Sequence, residues 1–158
     1  MTPPEETKDL LALRAMPEVA AALRARVQRV IERWTEAVER HLPDADPLTV
    51  KQIRNSIPTV LEKIAQALES DRAGATEVLE EVGTAHGVAR FQERYDIDEV
   101  LIEYRLLRRI IFDEIAAAAG DRLTFAHAMA VDMGVDTALH QGVASFVRAL
   151  VIQLRSAT

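Results

Sequence analysis

Apolar residues recur at intervals of three and four along most of the chain, with charged residues between them. This spacing places the apolar side chains on one face of an α-helix. It predicts helices over residues 17–42, 47–70, 76–94, 97–119 and 122–155. No segment longer than a few residues shows the alternation of a strand. The pattern therefore predicts an all-α fold of five or six helices with a long C-terminal segment that forms one helix or two.

Turn and capping residues set the predicted boundaries of these helices. Pro17 and Pro47 suit the first position of a helix, where the missing N–H costs nothing. Asp96 followed by Glu99 resembles a capping box at the start of the fourth helix, which is apolar over most of its circumference and should lie centrally. Pro58 interrupts the second helical segment and predicts a kink or a split near residues 55–56.

Composition narrows the class of protein. The 158 residues are 49% apolar, carry a formal net charge of −6 and include no cysteine. A core of this size excludes a wholly disordered chain, and the acidic balance argues against nucleic acid or anionic lipid as a partner. Neither a signal peptide nor a membrane span is recognisable, so the expected location is the cytoplasm. The predicted organisation is an N-terminal arm over 1–16 and one helical domain over 17–158.

The last helical segment continues its apolar stripe almost to the C-terminus. The stripe steps by four, three, four and four residues through Leu139, Val143, Phe146, Leu150 and Leu154. A lone domain has no need of such a continuation. Residues 139–158 are therefore interpreted as a dimer seam or as a connector to an output domain.

His86 and Glu103 are polar residues on apolar helix faces. His86 could be the axial ligand of a haem in a globin-like fold, or a buried histidine that a carboxylate such as Glu103 satisfies. Glu103 needs a partner, since an unpaired buried carboxylate costs several kcal/mol. Arg90 and Arg108 are the candidates, so that Glu103 belongs either to a ligand-sensing polar network or to a structural ion pair.

Other candidate chemistry finds less support. Asp132, Asp136 and His140 share a helix face and could bind a divalent cation, but nothing elsewhere repeats a metal-binding spacing, so a solvated face is preferred. The serines lack a glycine-rich elbow, and the glycines are isolated rather than clustered in a phosphate-binding loop. No enzyme activity, no metal and no catalytic residue are therefore expected.

Several short runs resemble a known family. They are Arg29–Trp34, Ile57–Leu61, His86–Arg90, Tyr95–Leu101 and Glu103–Arg109. Together they resemble the N-terminal domains of RsbRD-type RsbT co-antagonists, which also occur ahead of bacterial sensor histidine kinases. The resemblance spans about residues 20–150. Members often have Gly before the Tyr, where this chain has Arg94.

The resemblance implies a cytoplasmic signal-input domain without chemistry of its own. Related domains are globin-like without haem and form dimers whose last helix continues into an output domain. No output domain follows Thr158, so the chain is expected to be either an excised domain or a stand-alone partner.

The function predicted on these grounds is that of a homodimeric input domain. A packing change around a set of candidate polar residues would pass along the last helix to a histidine kinase or a stressosome-type component. The candidates are His86, Arg90, Tyr95, Glu103 and Arg108. The alternatives are a haem-binding gas or redox sensor with His86 as axial ligand, and a plain scaffold that dimerises and docks partners.

Overall fold

The computed structural model describes residues 15–42, 47–69 and 75–157, with only the backbone described for 47–56 and 75–76. The described residues form six α-helices and a short 3₁₀ turn, and include no strand. The helices are α1 (Pro17–Ala25), α2 (Val27–His41), α3 (Pro47–Glu69), α4 (Ala75–Gln92), α5 (Ile97–Ala119) and α6 (Phe125–Ser156). The all-α class, the helix count and the long C-terminal helix are confirmed. The arm predicted over 1–16 lies outside the described residues, except for its last two positions.

The structure refines the predicted helices at three places along the chain. The first predicted helix is broken at Arg26, whose backbone leaves helical geometry at φ −115° and ψ 7°. The break lets α1 pack mainly on α3 while α2 packs on α5. The split predicted near residues 55–56 does not occur, because α3 passes through the exposed Pro58 without ending. The buried stripe that follows Pro58 holds this helix together. The last segment is a single helix of 32 residues.

The capping residues explain where α5 and α6 begin. The predicted capping box at Asp96 and Glu99 is present, with the Glu99 carboxylate accepting the Asp96 backbone N–H at 3.0 Å. At the start of α6, His127 occupies the capping-box position that Glu99 holds in α5. The Nδ1 of His127 accepts the Thr124 N–H at 3.0 Å, and the Thr124 hydroxyl accepts the His127 N–H at 3.2 Å. Both helix starts therefore satisfy backbone donors locally.

The core lies where α5 meets the other helices. Trp34, Leu61, Leu107 and Ile111 are among its fully or almost fully buried side chains. Among the described residues, no helix is both long and apolar enough to cross a lipid bilayer.

Glu114 joins α2 to α5 at the edge of this core. Its side chain is only 5% exposed and accepts hydrogen bonds from Arg29 at 2.9 Å and Arg33 at 3.2 Å. Burial raises the pKa of this carboxyl, but the two guanidinium groups outweigh that effect and hold the pKa below its usual value. The ion pairs therefore fix the packing of α2 against α5.

Candidate functional site

The turn between α4 and α5 positions the candidate polar residues. Arg94 has a φ of 62°, in the left-handed region that favours glycine. Its N–H donates to the Phe91 carbonyl at 3.1 Å, and the Tyr95 N–H donates to the Arg90 carbonyl at 3.0 Å. These two bonds form a Schellman motif, which normally has glycine at the left-handed position. The sharp end of α4 places the Tyr95 ring beside the Arg90 side chain.

Arg90 and Glu103 form a buried ion pair between α4 and α5. Arg90 is 0% exposed and Glu103 is 1% exposed. The Arg90 Nε lies 3.0 Å from both carboxylate oxygens of Glu103. Buried charges need such partners, because desolvation costs each of them several kcal/mol. Arg90 is therefore the partner of Glu103 that lies within bonding distance.

His86 completes the contacts of the Glu103 carboxylate. The His86 Nε2 lies 3.3 Å from Glu103 Oε2, and its ring meets the edge of Tyr104 with centroids 5.3 Å apart. The Nδ1 of His86 is buried and has no hydrogen-bond partner among the described residues. The His86 ring is thus held through Nε2, while its Nδ1 lacks a hydrogen-bond partner among the described residues.

Two further contacts extend the cluster toward the surface. The Nη1 of Arg90 donates to Glu93 at 3.0 Å, and the Arg90 guanidinium lies 5.4 Å from the centre of the Tyr95 ring, in the range of a cation–π contact. Burial, and secondly the charge of Glu103, raise the pKa of the Tyr95 hydroxyl. His86, Arg90, Tyr95 and Glu103 are hereafter called the buried network.

Arg108 does not belong to the buried network. Its guanidinium lies 3.1 Å from Asp132 and 3.4 Å from Asp136, both on α6. The prediction that Arg108 could be the partner of Glu103 is therefore wrong. Asp132 and Asp136, two of the three candidate metal ligands, thus form ion pairs with Arg108. Among the described residues, no group of three or more His, Cys, Asp or Glu side chains is arranged to hold a metal ion.

The surroundings of His86 do not fit a haem. The cavity beside it is about 10 Å³ and is bordered by Trp34, Tyr104 and Leu107 among others. This volume is on the scale of one water molecule. The His86 Nε2 that would face an iron already faces Glu103. The residues present therefore do not accommodate a porphyrin in this packing.

The buried network is tied to α6 through Tyr104 and through a close approach of α4. The Tyr104 hydroxyl donates to the Ala138 carbonyl at 3.4 Å. A Cβ at Gly87 would lie 2.1 Å from the Gly142 carbonyl oxygen, and a Cβ at Gly83 would lie 2.3 Å from that of Ala138. The two contacts advance together along both helices, so α4 and α6 run parallel. Apolar periodicity does not reveal these glycines, and the four-residue spacing of Gly83 and Gly87 is the signal that the sequence offers for them.

Trp34 also contributes more than core volume. Its side chain is 1% exposed. Its indole Nε1 donates to the backbone carbonyl of Glu103 at 3.1 Å. The contact fixes the position of α5 at the residue that bears the buried carboxylate.

The five residues predicted for a dimer seam or connector divide into two groups. Phe146 is 4% exposed and meets the ring of Phe91 edge-on at 5.6 Å, whereas Leu139 and Val143 are half-buried. Leu150 and Leu154 are 38% and 60% exposed. The chain thus uses the first three at least partly for its own packing, and the exposed stripe begins at about residue 147.

Comparison with known proteins adds a family to this geometry. Residues 17–157 match the family described as the RsbT co-antagonist protein RsbRD N-terminal domain. No curated protein and no solved structure matches the chain significantly. The globin-like packing implied by the resemblance therefore stays a prediction. The family match spans every described helix, and the chain belongs to the RsbRD N-terminal domain family of regulatory signalling domains.

Proposed function

We propose that this regulatory domain is a non-catalytic input module that acts as a homodimer. In this proposal the buried network has two packings, and the difference between them moves α6. The exposed end of α6 passes that movement to an output partner. A stimulus would drive the change by favouring one packing over the other, for which it needs different affinities for the two.

The position of α6 carries this proposal. At its middle, α6 accepts the hydrogen bond of Tyr104, the neighbour of Glu103, and contacts the glycine face of α4. At its end, large apolar side chains are exposed. They are Val147, Leu150, Val151, Ile152 and Leu154. One rigid helix therefore connects the buried network to a surface suited to a protein partner.

The partner is inferred from the family. Its description names RsbT, of which such proteins are co-antagonists. We infer that the output partner of this chain is a component of an RsbT-containing signalling assembly or a histidine kinase. The exposed apolar residues at the end of α6 support a protein partner, and the acidic net charge argues against nucleic acid.

Spin labelling tests both dimerisation and relay. The chain has no cysteine, so Ile152→Cys creates a single labelling site on exposed α6. Double electron–electron resonance on this variant should show a defined distance between the spin labels of two copies. Adding His86→Asn should shift or broaden that distance, because it changes the partner of Glu103 while keeping a polar side chain.

Matched measurements distinguish a movement of α6 relayed from the buried network from a general loosening of the domain. Arg109→Ala removes an exposed ion pair with Asp113 and should leave the distance unchanged. Circular dichroism confirms that each variant is folded. A monomeric wild-type chain would contradict the dimer. If neither His86→Asn nor Glu103→Gln changes the distance between the two labels in folded dimers, the buried network does not move α6 and the relay is contradicted.

A further inference from the structure

A groove lies between the α4–α5 turn and the second half of α6. Its volume is about 730 Å³. Phe91, Tyr95 and Ile97 border it on one side, and Phe146, Val147 and Leu150 on the other. This space is hereafter called the turn groove. It brings Tyr95 of the buried network next to the exposed stripe of α6, so an occupant of the groove would contact both.

The walls of the turn groove favour an apolar helix. Val147 and Leu150 on its α6 side are 44% and 38% exposed. The exposed stripe of α6 is itself such a helix, and it continues beyond the groove through Val151 to Leu154. Residues 147–156 are hereafter called the α6 end. The same chain thus presents both an apolar groove and a helix end with exposed apolar side chains.

The charges of the two surfaces are complementary. The rim of the turn groove carries the exposed residues Asp96 and Asp98, whose charge Arg94 only partly offsets. The α6 end carries Arg148 and Arg155, both exposed, and the chain has no acidic residue after Asp136. An α6 end from a second copy would bring positive charge to an acidic rim.

Helix geometry places these charges on the correct sides. Successive residues of an α-helix are about 100° apart. Arg148 and Arg155 therefore lie on one flank of the exposed stripe, and Phe146 and Gln153, which border the groove, lie on the other. In a parallel two-fold pair each helix sets one flank against the opposite flank of its partner. The arginine flank of each copy then faces the groove flank of the other.

We propose that the turn groove receives the α6 end of a second copy in a parallel two-fold dimer, with Arg148 and Arg155 of each copy opposite Asp98 and Asp96 of the other. The inference rests on the proposed homodimer and names its acceptor surface. In such a dimer the α6 pair lies against Tyr95, so dimer geometry and the packing of the buried network are directly coupled.

A charge swap tests the pairing. Sedimentation equilibrium gives the dimer dissociation constant of the whole chain, of Asp98→Lys and of Arg148→Glu. Each variant alone places like charges together at both symmetric contacts, and should weaken its homodimer about tenfold or more at low salt. An equimolar mixture of the two variants makes every contact attractive again. It should form a heterodimer about as stable as the wild-type dimer.

Three comparisons decide the outcome. Glu39→Lys changes the charge as Asp98→Lys does, at an exposed site on α2, and should leave the dissociation constant unchanged. Recovery of dimers only in the mixture supports the pairing. A wild-type dimer that Leu154→Asp dissociates but the charge variants leave unchanged overturns the turn groove and leaves the proposed dimer standing. A wild-type chain that stays monomeric overturns both.

Discussion

Arg94 adopts a left-handed backbone conformation, which is unfavourable for any residue that has a Cβ. Its φ of 62° completes the Schellman motif at the end of α4, a position that glycine normally occupies. Left-handed geometry costs an ordinary residue about 1–2 kcal/mol, and glycine avoids this cost at some loss of unfolded-state entropy. We expect Arg94→Gly to raise the free energy of unfolding by about 1 kcal/mol, measured by urea denaturation.

The matched variant for this prediction is Arg94→Ala. It removes the same exposed side chain but keeps the Cβ and its strain, so it should not stabilise the domain. Equal stabilities of the Gly and Ala variants would show that the left-handed conformation is not strained at this position.

Glu103 is the residue on which the buried network depends. Replacing it with Gln leaves the buried Arg90 charge without its main counter-ion, and such one-sided changes cost about 3–5 kcal/mol. We expect Glu103→Gln to lower the free energy of unfolding by about that amount. The loss should persist at high salt, because the pair is shielded from solvent.

A double variant tests the same interpretation from the other side. Arg90→Met combined with Glu103→Leu removes both charges, and replacement of a buried ion pair by apolar residues is often neutral. The double variant should therefore be more stable than Glu103→Gln. If it is the less stable of the two, packing rather than the unpaired charge explains the loss.

The sequence indicated Glu103 as a possible partner of His86 and of Arg90, with Arg108 as the alternative to Arg90. His86 and Arg90 are one turn apart on α4, and Glu103 lies among apolar neighbours on α5. Helix geometry explains why Arg108 is not that partner. Five residues turn a helix by about 500°, so Arg108 points about 140° away from Glu103 and reaches α6 instead.

Hydrophobicity identifies the face that α4 buries less well. Ala85 is exposed, while Gly83 and Gly87 are buried against α6. Hydrophobicity identifies the larger apolar side chains, but it does not identify contacts that are made by the absence of a side chain. Here the backbone of α6 occupies the space of two missing Cβ atoms.

Gly87 should therefore tolerate no side chain. A Cβ there would lie 2.1 Å from the backbone oxygen of Gly142, which no rotamer change can relieve. We expect Gly87→Ala to force α4 away from α6 and to lower the free energy of unfolding by about 2–3 kcal/mol, in the range of overpacked cores. Thermal and urea denaturation should both report the loss.

Gly134→Ala is the matched control on α6. The nearest atom to an added Cβ is Ile64 Cγ2 at 3.7 Å, an ordinary contact distance. Alanine also favours a helix interior by about 0.8–1 kcal/mol over glycine. This variant should therefore be more stable than the wild type. Equal losses in the two variants would contradict the close approach at Gly87.

At the scale of the whole molecule, periodicity predicted the fold class but not the neighbours of each helix. The apolar stripes and the proline and capping signals gave most of the helix boundaries. The break at Arg26 has no proline or glycine to mark it and depends on tertiary packing of α1 on α3. The parallel pairing of α4 with α6 likewise depends on contacts between residues 55 positions apart, as at Gly87 and Gly142.

Tyr95 and Tyr104 are the only tyrosines of the chain, and both are buried. Burial, and secondly the charge of Glu103, raise the pKa of each hydroxyl above the unfolded value of about 10. Above pH 10 the unfolded chain therefore releases protons that the folded domain retains. The stabilisation is fully present below pH 10 and is lost as the pH rises toward the folded-state pKa. We expect tyrosinate absorbance at 295 nm to rise together with the loss of helical signal at 222 nm.

Single substitutions assign this alkaline transition to each ring. Tyr95→Phe removes a hydroxyl without a hydrogen-bond partner among the described residues, so it should halve the absorbance change and cost little stability. Tyr104→Phe should leave the other half of the absorbance change at the same pH. Because Tyr95 borders the turn groove and Tyr104 contacts α6, one shared midpoint would mean that both regions unfold as one unit. Ionisation of either ring near pH 10 with the helices intact would contradict its burial and, for Tyr95, the coupling between the groove and the buried network.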